Sequence, residues 1–117
     1  MTKPRNEKLI SWSDFQALDI RAGTILEVLP FPEARKPAYR LAVDFGELGV
    51  LKSSAQITAL YTPDHLVGRQ VVAVVNFPAK QIANHTSECL VLGVYNAEGQ
   101  VVLLSPLQPV ENGSVVG

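Results

Sequence analysis

The sequence predicts an all-β protein, a small Greek-key barrel with short helices, on three observations. Segments of alternating apolar and polar residues recur along most of the chain. Turns containing glycine separate several of these segments. The 117 residues, 47% of them hydrophobic, suffice for one domain with its own core. Another small all-β barrel or a sandwich fits the same pattern, because periodicity alone does not fix the order of the strands.

The N-terminal segment is expected to be a flexible arm followed by one short helix. Residues 1–11 are mostly polar and charged, which is typical of mobile termini. Ser13, with Gln16 three residues later, fits a capping box, and Asp14 favours the first helical turn. This helix is predicted to end near Leu18.

Three strands come next. They are predicted at residues 20–29, 39–45 and 50–55, the last two joined by a turn at 46–49. Gly23 interrupts the alternation of the first strand, which indicates a bulge or a sharp bend of the kind that small barrels need.

A helical segment at residues 56–66 separates these strands from the later ones. Strands are predicted at 70–76 and 87–95, with a loop over 77–86 between them, and a short strand at 100–104 follows. A helix between the third and fourth strands is the layout of the OB-fold, a five-stranded Greek-key barrel. No linker or repeat divides residues 1–117, so we expect a single OB-fold domain.

Composition limits the classes of function. Ten basic and eleven acidic residues give a net charge of −1, which excludes a polycation that binds nucleic acid through total charge alone. Charged residues make up 18% of the chain, below the usual level of about 25%. Part of the apolar surface is therefore expected to be buried against another chain. We expect a cytoplasmic protein without membrane insertion, because the N-terminus resembles no signal peptide and no apolar run reaches ~20 residues.

The sequence contains no recognisable catalytic or metal-binding constellation. His65 and His85 lack the partners and spacing of a zinc site, and we expect His65 at a helix end near Pro63 and His85 in a surface loop. Cys89 falls in an apolar strand, which predicts a buried and unreactive thiol. Neither a nucleophile elbow nor a glycine-rich phosphate loop is present. The prediction is a protein that is not an enzyme and uses no metal and no cofactor.

The basic residues are unevenly distributed. Residues 1–80 hold ten basic and eight acidic residues, net +2, whereas residues 81–117 hold three acidic residues and no Lys or Arg, net −3. Strand alternation places Arg40 and Lys52 on one outer face, which Lys80 could join. This is either a modest basic patch on the face by which OB-folds bind oligonucleotides or an ordinary solvated strand face.

Aromatic side chains offer little for stacking bases. Four of the eight, Phe15, Tyr39, Phe45 and Tyr61, are expected in the core, whereas Phe31 and Phe77 in predicted loops are candidates for exposure. A folded RNA that is recognised through its shape and phosphates would need fewer aromatic contacts.

Six segments together resemble the CsaA family, which belongs to the wider group of tRNA-binding domains also appended to methionyl-tRNA synthetases. The resemblance covers about residues 12–117. The segments are DIRAGTI at 19–25, FPEAR at 31–35, VDFG at 43–46, KSSAQIT at 52–58, VVNFP at 74–78 and VLLSP at 102–106.

The resemblance implies a homodimeric OB-fold chaperone with protein-export activity that binds unfolded or precursor polypeptides. The alternative it implies is a module that binds tRNA. Together with Arg40, the residues expected on the RNA-binding or peptide-binding face are Lys52, Ser53, Ser54, Asn76, Lys80, Ser87 and Glu88. Dimerisation is expected through residues 12–19 and 104–116, with Trp12, Phe15, Leu18, Leu104, Pro106, Leu107 and Val110. Relatives carry further basic residues where this chain has Gln81 and Thr86.

Overall fold

The computed structural model describes residues 8–117, so most of the expected arm at residues 1–11 lies outside the described residues. Two short α-helices, a 3₁₀ helix at Gly46–Leu48 and nine strands are present in the described part of the chain. The α-helices and strands are α1 Trp12–Gln16, β1 Ile20–Pro30, β2 Tyr39–Asp44, β3 Val50–Ala55, α2 Pro63–Leu66, β4 Gln70–Val74, β5 Lys80–Ile82, β6 His85–Ser87, β7 Leu90–Val91, β8 Gly93–Tyr95 and β9 Val101–Leu103.

The N-terminal helix begins two residues earlier than the sequence predicted. The Ser11 hydroxyl accepts a hydrogen bond from the Asp14 backbone N–H at 3.2 Å. The Asp14 carboxylate accepts one from the Ser11 N–H at 2.9 Å, which completes the capping box. The prediction of a cap at Ser13 was therefore wrong: Asp14 itself reaches back to Ser11 in place of the Gln16 side chain.

The predicted OB-fold barrel is confirmed. Five strands form one antiparallel sheet in the order β3-β2-β1-β4-β7, and β3 and β7 approach each other to bring the barrel near closure. The long β1 is shared, since its first half pairs with β4 and its second half with β2. Two-stranded hairpins β5–β6 and β8–β9 are attached to this sheet.

The expected bend in β1 lies just after Gly23. The pairing register with β2 shifts between Ile25 and Glu27, so that Ile25 is buried and Leu26 faces solvent. Gly23 has a separate role: a β-carbon there would lie 2.7 Å from the ring of Phe45. The glycine thus makes room for a fully buried aromatic side chain.

Three predicted elements differ from the structure. Helix 56–66 is reduced to the single turn Pro63–Leu66, because Ile57 is buried in the core beyond the end of β3 and proline fits only the first helical turn. The predicted loop at 77–86 contains the hairpin β5–β6. The predicted strand 87–95 divides at Leu92 because β7 pairs with β4 whereas β8 pairs with β9.

The core lies inside the barrel, and the C-terminal segment is bonded to the barrel through backbone groups of β1. The buried apolar residues of the core come from β1, β2, α2 and β4 and from the segments that follow β2 and β3, and they include Ile25, Leu41, Val43, Phe45, Ile57, Leu66 and Val71. The C-terminal segment runs beside β1, where the Ala22 N–H donates to the Ser114 carbonyl at 2.9 Å and the Val116 N–H to the Ile20 carbonyl at 2.8 Å. Within residues 8–117 no helix has the length and apolar character needed to cross a membrane.

Candidate functional site

A wide groove lies where the barrel is least closed, between its two edge strands. Ser54 and Ala55 of β3 line one side, and Leu90 and Val91 of β7 line the other. Its volume is about 1220 Å³. β3 and β7 are the two edge strands of the five-stranded sheet. Each therefore has one side that is not paired with another strand of that sheet, and the groove lies between these two sides.

The groove combines apolar walls with a cationic border. Ile57, Val91 and Leu103 are buried or half-buried apolar residues of its lining. Its charged lining residues are all basic, namely Arg35, Lys36 and Lys80. Within residues 8–117 no acidic side chain lines the groove. The site is therefore suited to an apolar ligand that carries neutral or negative groups.

Hydrogen bonds close one end of the groove. The Lys52 N–H donates to the Glu88 carboxylate at 2.9 Å, and the Glu88 N–H donates to the Lys52 carbonyl at 2.7 Å. The Ser53 hydroxyl, which has no solvent exposure, donates to the Cys89 carbonyl at 2.9 Å. These bonds join β3 to the segment before β7 and fix where the two strands begin to diverge.

Arg40 and Lys52 border a second, smaller cleft of about 220 Å³. Pairing of Ala42 with Lys52 puts Arg40 and Lys52 on the same outer face, as strand alternation predicts. The Arg40 Nε donates to the Pro30 carbonyl at 3.1 Å. Glu27 also lines this cleft, so its charge is less positive than the sequence suggested.

His85 and Phe31 are buried, against the expectation that both are exposed in loops. The His85 Nε2 lies 3.0 Å from the Ser53 carbonyl oxygen, because hairpin β5–β6 folds over β3. The Phe31 ring packs edge-on against His85 at 5.5 Å, and the Arg40 guanidinium lies 5.7 Å from the centre of the same ring. Phe77, by contrast, is exposed as expected.

Cys89 is buried, as the sequence predicted. Burial raises the pKa of its thiol to about 11, although a hydrogen bond with Ser53 acts in the opposite direction. The thiol therefore stays protonated at neutral pH, which makes it a poor nucleophile. Within residues 8–117 no group of three or more His, Cys, Asp or Glu side chains is arranged to hold a metal ion.

The residues predicted for the binding face are divided among several places. Ser54 and Lys80 line the groove, whereas Arg40 and Lys52 line the smaller cleft. Ser53 points into the interior.

The three remaining residues of that set make contacts within the protein. Ser87 pairs with Lys80 in the hairpin, and Glu88 is bonded to Lys52. Asn76 bonds to the residues that follow helix α1: its Oδ1 accepts from the Asp19 N–H at 2.9 Å, and its Nδ2 donates to the Ala17 carbonyl at 2.8 Å.

The residues predicted for a dimer interface are all accessible. Trp12 is 69% exposed and packs at a tilt against the Phe15 ring, with ring centres 5.4 Å apart, and Leu107 is fully exposed. Leu18, Leu104 and Val110 are also exposed, and Phe15 and Pro106 are partly so.

Sequence reasoning missed the apolar side of the groove. Leu90 and Tyr95 both line it and are exposed, although residues 87–95 were expected to form one strand of the barrel. The sequence predicted the turn at Asn96–Gly99. It did not predict that the strand ends before Leu92, after which β8 pairs with β9 and not with the main sheet.

A small antiparallel barrel with an open groove between its edge strands defines a binding module of the OB-fold class. Comparison with known proteins agrees. Residues 20–115 match the family described as "Putative tRNA binding domain", and the chain belongs to this family.

Two solved chaperones are similar along their whole length. The crystal structure of the chaperone CsaA from Bacillus anthracis has a TM-score of 0.89 and 50% identity, covering 94% of this chain and 100% of that one. The CsaA chaperone protein from Picrophilus torridus has a TM-score of 0.88 and 49% identity, covering 93% and 100%. The resemblance to the CsaA family is thus confirmed.

A curated relative is much longer. The methionine–tRNA ligase of Porphyromonas gingivalis is 36% identical over 107 residues, which is 92% of this chain but 15% of that protein. The chain therefore spans about a sixth of the length of the curated relatives it matches.

Proposed function

We propose that this protein is a non-catalytic chaperone of the CsaA type that binds unfolded or precursor polypeptides in the groove between β3 and β7. The observation that carries the proposal is the combination of apolar walls and a wholly basic charged lining in one open groove. Unfolded chains differ from folded ones in exposing apolar side chains and unpaired backbone groups. Similarity over the full length of two CsaA chaperones supports the proposal.

The physical basis is burial of the client's apolar side chains. Leu90 is 48% exposed and lines the groove, so a bound chain would remove its apolar surface from water. A shallow and open site of this kind suits transient binding of many sequences better than tight binding of one ligand.

We further propose that the protein acts as a cytoplasmic homodimer with a role in protein export. Segments 12–19 and 104–116 would meet across the two-fold axis. Exposure of Trp12, Leu104 and Leu107 in the single chain supports this arrangement, because apolar surface of this kind is normally covered by a partner.

An aggregation assay tests the groove. Leu90→Gln should weaken the suppression of aggregation of an unfolded client severalfold. Leu26→Gln is the matched control, since Leu26 is also 48% exposed but does not line the groove. If the unmodified protein neither binds unfolded chains nor slows their aggregation, the chaperone proposal fails. If both variants lose the same activity, the groove is not the site.

Binding of tRNA is a second candidate function. It is supported by the family match and by Arg40 and Lys52 on one outer face. Affinity for tRNA should fall steeply with salt, and the double variant Lys52→Ala with Lys80→Ala should lower the logarithmic salt slope by about 1 for each lost phosphate contact. Arg69→Ala is the control, because Arg69 is exposed and lines neither cavity. Binding that the double variant leaves unchanged would rule out phosphate contacts both at Lys52 on this face and at Lys80 in the groove.

A further inference from the structure

We propose that the small cleft lined by Arg40, Lys52 and His85 binds one phosphate group, and that it binds the group more tightly at lower pH because His85 takes up a proton. The cleft shares no lining residue with the groove, so the proposal does not rest on polypeptide binding. A phosphate of an RNA backbone and a free phosphate ion present the same tetrahedral oxyanion. If the source is RNA, the cleft is one point of contact in the tRNA-binding candidate function.

The cleft lies on the outer face of β1, β2 and β3. In the pairing register Glu27, Ala42 and Lys52 lie side by side across the three strands, and Leu29 and Arg40 lie in the next row. Arg40 and Lys52 are therefore diagonal neighbours, and the β-carbons of such neighbours lie roughly 7 Å apart. The small side chain of Ala42 leaves a depression beside them, with a volume of about 220 Å³. Both cations can thus reach the same space.

No carboxylate neutralises these two cations. Among residues 8–117 no ion pair involves Arg40 or Lys52. The Arg40 Nε donates to the Pro30 carbonyl at 3.1 Å, whereas its two terminal amino groups have no hydrogen-bond partner in that part of the chain. A guanidinium held in this way can bind two oxygens of one phosphate. Glu27 is the one acidic side chain of the described chain in the lining, so two positive charges face a single negative charge.

The buried ring of Phe31 positions both Arg40 and His85. The centre of this ring lies 5.7 Å from the Arg40 guanidinium and 5.5 Å from the centre of the His85 ring. Phe31 is only 4% exposed, so it cannot move freely and it restricts both neighbours. Side chains that are held in place before the ligand arrives lose less conformational entropy on binding.

The hydrogen bond of His85 determines which ring nitrogen is available to an anion. Its Nε2 lies 3.0 Å from the Ser53 carbonyl oxygen, which only accepts, so Nε2 carries a hydrogen in both charge states. Nδ1 has no hydrogen-bond partner within the described residues. Because every fully buried side-chain nitrogen or oxygen in those residues has a partner, Nδ1 is in contact with solvent. It is an acceptor when His85 is neutral and a donor when His85 is protonated.

Protonation of His85 and binding of an anion favour each other. The charged groups around His85 are Glu27, Arg40 and Lys52 in the cleft, Lys80 on the paired strand, Glu88 bonded to the Lys52 N–H, and Glu33 bonded to Asn84 in the hairpin turn. A phosphate between the two cations reduces the repulsion that a further positive charge would meet there. The coupling is reciprocal, so affinity for the anion rises as the pH falls.

Titration of the full chain with sodium sulfate tests the site at constant ionic strength. Sulfate has the shape of a phosphate group and keeps its charge between pH 6 and 8, the range in which histidine titrates. Sulfate should bind about fivefold more tightly at pH 6 than at pH 8. His85→Gln should abolish this difference, because the amide can still donate to Ser53 but takes up no proton. His65→Gln is the matched control, since His65 is exposed and lines neither cavity.

Surface charge variants test the same site without altering the buried histidine. Lys52→Gln should weaken sulfate binding about three- to tenfold, whereas Glu27→Gln should strengthen it about twofold, because it removes the negative charge. Arg69→Gln is the control, as Arg69 lines neither cavity. Absence of sulfate binding, binding that neither cleft variant changes, or a pH dependence that persists in His85→Gln would overturn the proposal.

Competition with tRNA distinguishes the two sources of phosphate. Sulfate that displaces bound tRNA, with an effect that is larger at pH 6 than at pH 8, assigns the cleft to an RNA phosphate. Sulfate binding without displacement assigns it to a free phosphate. If sulfate binds but tRNA does not, the tRNA-binding candidate fails and the phosphate site stands. If tRNA binds and sulfate does not, the phosphate site fails and the candidate function stands.

Discussion

Substitution of Ser53 by alanine distinguishes a structural role from a binding role for the two adjacent serines of β3. Ser53 has no solvent exposure, and its hydroxyl donates to the Cys89 carbonyl at 2.9 Å. Removing the hydroxyl leaves that carbonyl with the long 3.4 Å contact from the Ser87 hydroxyl. Loss of a buried hydrogen bond together with a poorly satisfied acceptor costs about 2 kcal/mol. Ser54, which faces the groove, is the matched control.

Urea denaturation measures this difference. With a slope of about 1–3 kcal/mol per molar urea, Ser53→Ala should lower the midpoint by about 1 M and leave the slope unchanged. Ser54→Ala should change the free energy of unfolding by less than about 0.5 kcal/mol. Peptide affinity of folded Ser53→Ala should equal that of the unmodified protein. An unchanged midpoint for Ser53→Ala, or an equal loss in Ser54→Ala, would refute the assignment of Ser53 to the interior.

Three further predictions concern packing, ionisation and the helix. Gly23→Ala should destabilise the protein by about 1–3 kcal/mol, because its β-carbon would lie 2.7 Å from the Phe45 ring, and Phe45→Leu should relieve part of the loss in a double-mutant cycle. Burial raises the pKa of Cys89 from 9.0 to about 11, so the unfolded chain loses this proton first and stability falls between pH 9 and 11, by up to about 3 kcal/mol. Cys89→Ala should lack this extra pH dependence in denaturation curves recorded across that range, and an identical slope would contradict it. Asn76→Ala should speed amide exchange of Leu18, whose helix end Asn76 holds, without lowering peptide affinity; an unchanged exchange rate would show that these bonds do not hold the helix.

The sequence predicted which types of residue the candidate site contains, but not where several of their side chains lie. Alternation in β2 and β3 correctly placed Arg40 and Lys52 on one face, because side chains on paired strands follow a strict period of two. The same alternation puts Ser53 inside and Ser54 outside, yet both had been assigned to one binding face from the family resemblance. Asn76 was also assigned to the binding face, but its side chain bonds to the end of helix α1. The sequence shows only a polar residue after a strand, and whether that residue binds a ligand or a helix end depends on which segment packs against it.

The all-β class, the main strands and the family could be predicted from the sequence, because they depend on local periodicity, turn residues and six short motifs. Packing in three dimensions sets the groove between β3 and β7, and it buries His85 of hairpin β5–β6 against Ser53 of β3 and the ring of Phe31. Those outcomes depend on contacts between residues more than 30 positions apart, such as Ser53 with Cys89. Local pattern carries no information about such contacts, because they are set by how strands from distant parts of the chain pack around a common core.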